Sequence, residues 1–321
     1  MSTPSKTNNS FPLKLNLWKV EHLALRLGYK ENVLRYFISK RSENVNEIKL
    51  NQVRNGKQKI RTVYGTSDGY KKLLRKINKN ILQTANFPDG ILGGIIGKAI
   101  DDMANKHCGR EALFSIDFKE FFPNIKSEMV RKFFRRAKCS KEVADILTDL
   151  VTFNEFLPQG FPTSTMMANL IAYDLDIKHL SIAKKYNLVR TRWIDDVVFS
   201  GRTAAIKEAI PIIIGTVSPL GFKINNKKTR FEPRGAKPIV TGLEVNHKSP
   251  RVPLVRIHAI ERLLGICEKE NPLIAQSIYE SDSGRKVKDF RASLNGQITF
   301  VEKHDSKKGL VLRERMGAIC W

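Results

Sequence analysis

Residues 188–200 read LVRTRWIDDVVFS, two short apolar runs with a pair of aspartates between them. Runs of four to six apolar or β-branched residues are strand signals and a polar break between two of them is a turn, so this stretch predicts strand, acidic turn, strand. Upstream, residues 112–117, ALFSID, form another apolar run that ends in an acid, Asp117. A buried strand that delivers Asp117 to a site is the plain inference. With Asp195 and Asp196 at the turn between the two later strands, three carboxylates can meet at strand ends on one sheet.

Like charges gathered in a low dielectric oppose one another's ionisation, and such a cluster persists most readily when hard cations such as Mg²⁺ neutralise it through oxygen ligands. Two such ions about 3.5 to 4 Å apart can activate an attacking hydroxyl and stabilise the leaving oxygen of an in-line phosphoryl displacement. Taken alone, Asp195-Asp196 also suits a solvated turn, where aspartate is common.

The chain has 321 residues, 41% of them hydrophobic and 8% aromatic, which supports a sizeable core and about two subdomains and excludes disorder throughout. Lysine and arginine number 56 against 32 acids, a net charge of +24. That much charge repels itself unless a polyanion neutralises part of it, which points to nucleic acid before an anionic membrane surface. Apolar runs such as residues 210–214, with Pro211 inside, fall short of the roughly 20 residues that span a bilayer, and no membrane partner is expected. Residues 1–10 are polar and carry no export signal, so a cytoplasmic location is the default expectation. Cys108, Cys139, Cys267 and Cys320 form no CxxC pair and no ligand spacing with the six histidines, so neither a zinc site nor a disulfide framework is predicted.

Residues 15–27 place Leu17, Val20, Leu23, Ala24 and Leu27 at helical spacing, Gly28 can end that helix, and residues 31–38 begin a second. Residues 48–64, broken by NGKQK, predict a β-hairpin; residues 70–82 and 130–137 predict basic helices with interleaved aromatics, suited to the backbone of an RNA or RNA/DNA duplex. Residues 206–220 suggest a helix, 221–245 a run of turns, and the pattern after Pro253 is helical, with Ile257, Ile260, Leu263 and Leu264 in register.

Between the two acidic elements lies LPQGFPTSTMMANLI, residues 157–171. IDFKEFFPNI, LPQGFPTS, RWIDDVVFS, GFKINNKKT and VTGLEV occur in the order and approximate spacing of the palm motifs of reverse transcriptases. The chain most resembles the bacterial retron-type enzymes, well over residues 61–245 and only in pattern at the ends. Ala104-x-x-His107 resembles the tail of their NAxxH element, and Val240-Thr241-Gly242 matches their VTG triplet, associated with recognising the cognate structured RNA. Two positions depart from the pattern. Met103 stands where asparagine is expected and cannot supply amide hydrogen bonds; Trp193 replaces the tyrosine of YxDD, keeping a flat apolar surface but losing the phenolic acceptor. Trp193 suits core packing as well as a primer contact.

The resemblance implies an α+β right-hand polymerase: an N-terminal helical region (1–40), fingers and palm with an antiparallel sheet plus helices (41–250), and a small helical thumb or RNA-binding region (251–321). It implies RNA-directed DNA synthesis from a cognate non-coding RNA and dNTPs, giving multicopy single-stranded DNA. It further implies antiphage defence with an effector protein encoded nearby. Asp117, Asp195 and Asp196, with the backbone carbonyl of Phe118, would hold two Mg²⁺ ions. Lys228, with Lys227 as its alternative, would serve the pyrophosphate leaving group. Phe122 would exclude a 2′-hydroxyl; Phe121 and Phe122 alternate in any extended segment, so at most one of them is the gate. Gln159 and Gly160 would pack against the incoming nucleotide and template, and Arg61, with Lys59 a weaker candidate, would contact triphosphate. His107, Val240, Thr241 and Gly242 would bind RNA. With no recognisable RNase H or nuclease motif, template removal is expected from elsewhere. Two other readings remain open: a defence reverse transcriptase outside the retrons, and a polymerase-derived RNA-binding scaffold whose catalysis has lapsed.

Overall fold

The computed structural model describes residues 11–54, 57–284 and 286–321. Helices α1 (Val20–Leu27) and α2 (Glu31–Ser39) and the single turn α3 (Arg41–Asn44) lead into a hairpin of β1 (Val45–Arg54) and β2 (Lys57–Thr66). The predicted hairpin is present, and Asn55 and Gly56 of its turn lie outside the described residues. The predicted N-terminal helix starts five residues late. Leu15 and Leu17 run extended instead: the amide of Leu15 donates to the carbonyl of Ala137 at 2.8 Å, and the carbonyl of Leu17 accepts from Ser140 at 2.8 Å. Backbone pairing with a segment over 120 residues away outweighs the local helical spacing.

Next come α4 (Asp68–Asn80), α5 (Ile100–His107), β3 (Ala112–Asp117), the turn α6 (Phe121–Asn124), α7 (Ser127–Arg136) and α8 (Lys141–Val151). Ser67 and Ser140 cap α4 and α8 by accepting from the amides of Tyr70 and Val143, so both helices start where an orphan N–H finds a hydroxyl. Helices α9 (Ser164–Ile171) and α10 (Tyr173–Lys185) precede β4 (Val189–Trp193), β5 (Asp196–Gly201) and α11 (Thr203–Gly215). Short strands follow: β6 (Arg230–Pro233), then β7 (Ile239–Val240) and β8 (Leu243–Glu244). The C-terminal helices are α12 (Leu254–Lys269), α13 (Pro272–Ser283), α14 (Phe290–His304) and α15 (Ser306–Gly317).

The central sheet has the order β4-β5-β3-β6, antiparallel throughout, so the fold is α+β. One face buries Phe114, Ile116, Val197 and Phe199 in a core shared with α1, α4, α7, α8 and α9. The other face supplies Leu113 and Val198 to a second core built with α5, the β7–β8 hairpin and the C-terminal helices. Alternation along β3 and β5 thus sends successive side chains into two cores, which seats the carboxylate end of the sheet between them.

Residues 203–220 are, by length and composition, an apolar helical stretch long enough to cross a membrane, longer than the short runs expected from the sequence. In the fold Ile206, Ala209 and Ile213 are fully buried where α11 packs on β3 and β5, the seating of a core helix.

Candidate active site

The register of β3 against β5 sets Asp117 opposite Asp196, and Trp193 of β4 also pairs with Asp196. Only Ile194 and Asp195 are left to make the turn. The expected acidic turn is therefore divided, with Asp195 in the turn and Asp196 the first residue of β5. Ile194 has φ +58° while Asp195 stays out of the positive-φ set, the pattern of a II′ hairpin turn whose first position is ordinarily glycine. A β-branched residue there is strained and persists only where surrounding structure holds it. The amide of Phe118 donates to the carbonyl of Asp195 at 3.2 Å and ties the end of β3 to the turn. The three carboxylates and the backbone of Phe118 thus share one end of the sheet.

Burial raises the Asp195 carboxyl above the ordinary range, with Asp117 adding to the effect and Lys228 and Arg61 opposing it. Burial in the cleft, then the charges of Asp195 and Asp117 and a hydrogen bond with Asp117, pushes Asp196 up to about 6. Asp117 has both oxygens engaged: Asn225 Nδ2 donates to Oδ1 at 2.8 Å and Lys228 Nζ to Oδ2 at 2.5 Å. The amide of Asn225 also donates to the carbonyl of Asp117 at 2.8 Å, so the NNKK loop is fastened to the end of β3. Of the two candidate lysines the fold brings Lys228 to the aspartates; Lys227 is exposed and has no ion pair among the described residues.

This donor set, all oxygen and mutually repelling, fits a hard divalent cation. Among the described residues no group of three or more His, Cys, Asp or Glu side chains is arranged to hold a metal as they stand. The oxygens of Asp117 face Asn225 and Lys228.

Arg61 lies exposed on β2 opposite Leu50, near enough to the carboxylates to pull Asp195 downward. The side chain of Lys59 lies outside the described ones. Phe121 and Phe122 fall in the helical turn α6 instead of an extended segment. Phe121 is buried and stacks near Phe118 and Phe222, while Phe122 is partly exposed, which leaves Phe122 as the one available to a sugar. Gln159 is half-buried and its carbonyl accepts from the amide of Tyr64 at 2.8 Å. Gly160 was expected to let the chain approach a nucleotide; the close approach is to protein. At φ +119°, a Cβ on Gly160 would lie 2.5 Å from the carbonyl oxygen of Tyr64, so this glycine lets the 157–164 loop dock on β2.

The expected RNA-binding group is only partly available to RNA. His107 is fully buried, bridging Ser200 Oγ and Thr191 Oγ1 at 2.6 Å each, so it fastens α5 to β4 and β5 instead of facing solvent. Val240 is buried as well. Thr241 and Gly242 make the two-residue turn between β7 and β8, both at positive φ, as a I′ turn requires. The Thr241 hydroxyl donates to the carbonyl of Ile100 at 3.0 Å, joining the hairpin to the start of α5 and leaving Gly242 exposed at the tip. Met103 is buried in the second core and Trp193 packs against it, so both departures from the motif pattern are accommodated as apolar packing beside the sheet.

Burial lowers both His107 and His179 from the usual 6.5 to about 3. A base lowered on folding contributes stability above its unfolded value, and that stability drains as pH falls from 6.5 toward 3. Each histidine should contribute a slope of about 1.4 kcal/mol per pH unit in that window. His107→Gln, which does not titrate, is expected to lower the slope of unfolding free energy against pH by about 1.4 kcal/mol per unit in urea unfolding between pH 6 and 5. An unchanged slope would contradict the assignment.

The family profile described as "Reverse transcriptase (RNA-dependent DNA polymerase)" matches residues 46–245. The chain belongs to this family. It is similar to the retron Mx65 reverse transcriptase of Myxococcus xanthus, 26% identical over 309 residues that make up 90% of this chain and 69% of the relative. It is also similar to the retron Se72 reverse transcriptase of Salmonella heidelberg (strain 579083-10), at 27% over 308 residues, 94% and 79% of the two chains. A third relative, the retron Ec86 reverse transcriptase of Escherichia coli, is 28% identical over 258 residues, 78% and 79%. Among solved structures, telomerase from Candida albicans in complex with a fragment of telomeric RNA aligns with 89% of this chain and 67% of its own, at 10% identity and TM-score 0.45. The protein is a retron-type reverse transcriptase, an RNA-directed DNA polymerase.

Reading the sequence for motifs passes over several residues that the fold of this reverse transcriptase brings to the site. Asn225 was one, although an asparagine in a turn is a common backbone anchor. Asp176, Asn169, Arg190 and Arg192 form a buried polar group beneath the turn that carries Asp195; two arginines at i and i+2 inside the strand segment VRTRW were the available signal, since a buried cation demands a partner. The two basic helices also differ. On α7, Arg131 pairs with Asp145 and Glu128, and Arg136 with Asp174. On α4, Lys71, Lys72, Arg75 and Lys79 are exposed and have no carboxylate partner among the described residues.

Proposed function

We propose that this reverse transcriptase copies a cognate structured non-coding RNA into multicopy single-stranded DNA, in an antiphage system with an effector protein encoded nearby. The observation that carries the catalytic part is the β3–β5 register, which sets Asp117 opposite Asp196 with Asp195 in the adjoining turn. The likeness to retron enzymes supports the product and the defence role. In this reading Asp117, Asp195, Asp196 and the carbonyl of Phe118 hold two Mg²⁺ ions. Bound there, the ions lower the barrier by favouring the ionised 3′-hydroxyl and the developing pyrophosphate charge. Lys228, half-exposed on a loop, is a donor able to leave Asp117 for the departing pyrophosphate. Arg61 meets the triphosphate of an incoming dNTP, with Gln159 beside it, and the ring of Phe122 opposes a 2′-hydroxyl. Gly242, at the tip of its hairpin, is the member of the VTG triplet open to RNA.

The unpaired cations of α4 suit the RNA backbone better than those of α7, where Arg131, Lys132 and Arg136 are paired with carboxylates. Replacing Lys71, Lys72, Arg75 and Lys79 by Gln is expected to weaken RNA binding and to reduce the slope of log K against log salt by roughly three. Filter binding across a salt series measures it, and an unchanged slope removes α4 from the interface.

The test of the whole reading is to express the protein from its native flanking DNA and sequence the nucleic acid that copurifies, beside an Asp195→Ala/Asp196→Ala control. A short DNA of defined sequence joined to a local RNA, absent from the control, supports it. Heterogeneous DNA would favour a defence enzyme working without a retron RNA, and RNA alone in both samples would favour a lapsed scaffold.

A further inference from the structure

Beneath the strained turn lies a polar group with no access to solvent. Asp176 of α10, Asn169 of α9, and Arg190 and Arg192 of β4 are all buried. Asp176 accepts from Arg190, and from Arg192 through Nε at 2.7 Å and Nη2 at 2.5 Å. The third nitrogen of Arg192, Nη1, points the other way and donates to Asn169 Oδ1 at 2.8 Å and to the backbone carbonyl of Ile194 at 2.8 Å. Asn169 in turn donates through Nδ2 to the carbonyl of Gly93 at 2.8 Å. Gly93 lies against the turn itself, where a Cβ would stand 2.5 Å from the amide nitrogen of Ile194. The backbone of Arg192 is also held, its amide donating to Gly90 and its carbonyl accepting from Leu92.

We infer that Arg192, oriented by Asp176 and Asn169, is a positioning residue for catalysis that holds the Ile194 peptide in its left-handed turn and thereby fixes Asp195 and Asp196. A core salt bridge alone needs only the two nitrogens that face Asp176. The third nitrogen bonds a peptide whose conformation the Ile194 side chain disfavours, and that peptide immediately precedes Asp195. Guanidinium geometry makes this possible, because a rigid planar fork reaches a carboxylate on one side and a carbonyl on the other, which an ammonium cannot do at the same time. The loop 90–93 closes the opposite side, so the turn is gripped between a charged donor and a glycine backbone.

The test uses the full-length protein carrying Arg192→Lys, which keeps the charge opposite Asp176 but removes the fork, and separately Asn169→Ala, which removes the guide while leaving the ion pair. Val143→Ala, in the core at the first turn of α8, serves as a control for general destabilisation. In RNA-templated primer extension both variants are expected to lose about tenfold to hundredfold in kcat with the KM for dNTP within about threefold, because misplaced catalytic groups cost rate more than binding. Val143→Ala is expected to lower the melting temperature and leave kcat unchanged. The carboxylate role in cation binding rests on the proposed function, so a second measurement titrates the protein, without nucleic acid, with Mn²⁺ and reads free ion by electron paramagnetic resonance. Arg192→Lys should bind Mn²⁺ about tenfold more weakly than the parent, and Asp195→Asn marks the loss of the site. If kcat in Arg192→Lys and Asn169→Ala stays within twofold of the parent while stability falls, the group serves only the core and the inference is overturned. If instead kcat falls while parent and Asp195→Asn bind Mn²⁺ alike, the positioning role stands and the cation assignment is what fails.

Discussion

Asp196→Asn is expected to lower RNA-templated deoxynucleotide incorporation by about 10³-fold or more and, at pH 8, to make the protein more thermostable than its parent. Both effects have one origin. Burial and the neighbouring Asp195 and Asp117 push Asp196 up to about 6, so at pH 8 the fold holds an ionised group that its surroundings disfavour. An acid raised on folding contributes stability that is fully present below its unfolded value, near 3.8, and lost as pH rises through about 6. The asparagine variant has no such loss. Its advantage in melting temperature should therefore be largest above pH 7 and vanish below about pH 4. Melting curves across that range in EDTA, beside primer-extension rates, check both halves. A variant that is less stable at every pH, or that still extends primers at a tenth of the parental rate, would contradict the assignment. The trade between stability and activity is what a catalytic carboxylate cluster predicts, and a solvated surface turn does not.

Asp176→Ala is expected to cost about 3 to 5 kcal/mol of folding stability, the range for removing one member of a buried ion pair. Asp176 is the acid that Arg190 and Arg192 share, and without it two guanidinium groups stay buried with no countercharge. Nε and Nη1 of Arg190 already have no partner among the described residues, so nothing stands ready to take over. His179 offers no relief, since it is held neutral beside them. Urea unfolding measures the loss, and a cost under about 1 kcal/mol would show that the arginines reach other acceptors or water. Asp176→Asn should fall between, because an amide oxygen accepts from one arginine without neutralising either.

The sheet was legible because its signals are local. ALFSID and the two halves of LVRTRWIDDVVFS are short β-branched and apolar runs bounded by polar breaks, and β3, β4 and β5 formed where those runs lie. The same locality explains the failure at residues 15–19, where helical spacing was real but an extended pairing with Ala137 and Ser140 was worth more. His107 shows the limit for the site. Its place in Ala104-x-x-His107 marked it as a motif residue, yet nothing in ANKH says whether an imidazole faces RNA or bridges two hydroxyls inside the fold. Gly160 is similar: the need for glycine was readable in LPQG, while the Tyr64 backbone that imposes it belongs to another hairpin.

A resemblance to reverse transcriptases implied the α+β class; by itself, the sequence determined that this protein is strongly basic and supplied with three aspartates at predicted strand ends. These are properties of composition, short-range periodicity and spacing, which act within one element. Only the tertiary structure decided that Asp117 faces Asp196, that Lys228 and not Lys227 reaches it, that Arg131 and Arg136 of α7 pair with carboxylates while the exposed cations of α4 do not, and that Arg192 bonds the Ile194 carbonyl beside Asp195. Each of those choices joins residues on separate elements through burial and charge pairing. Their energies depend on which groups have lost water together, and that is set only when the chain has closed around them.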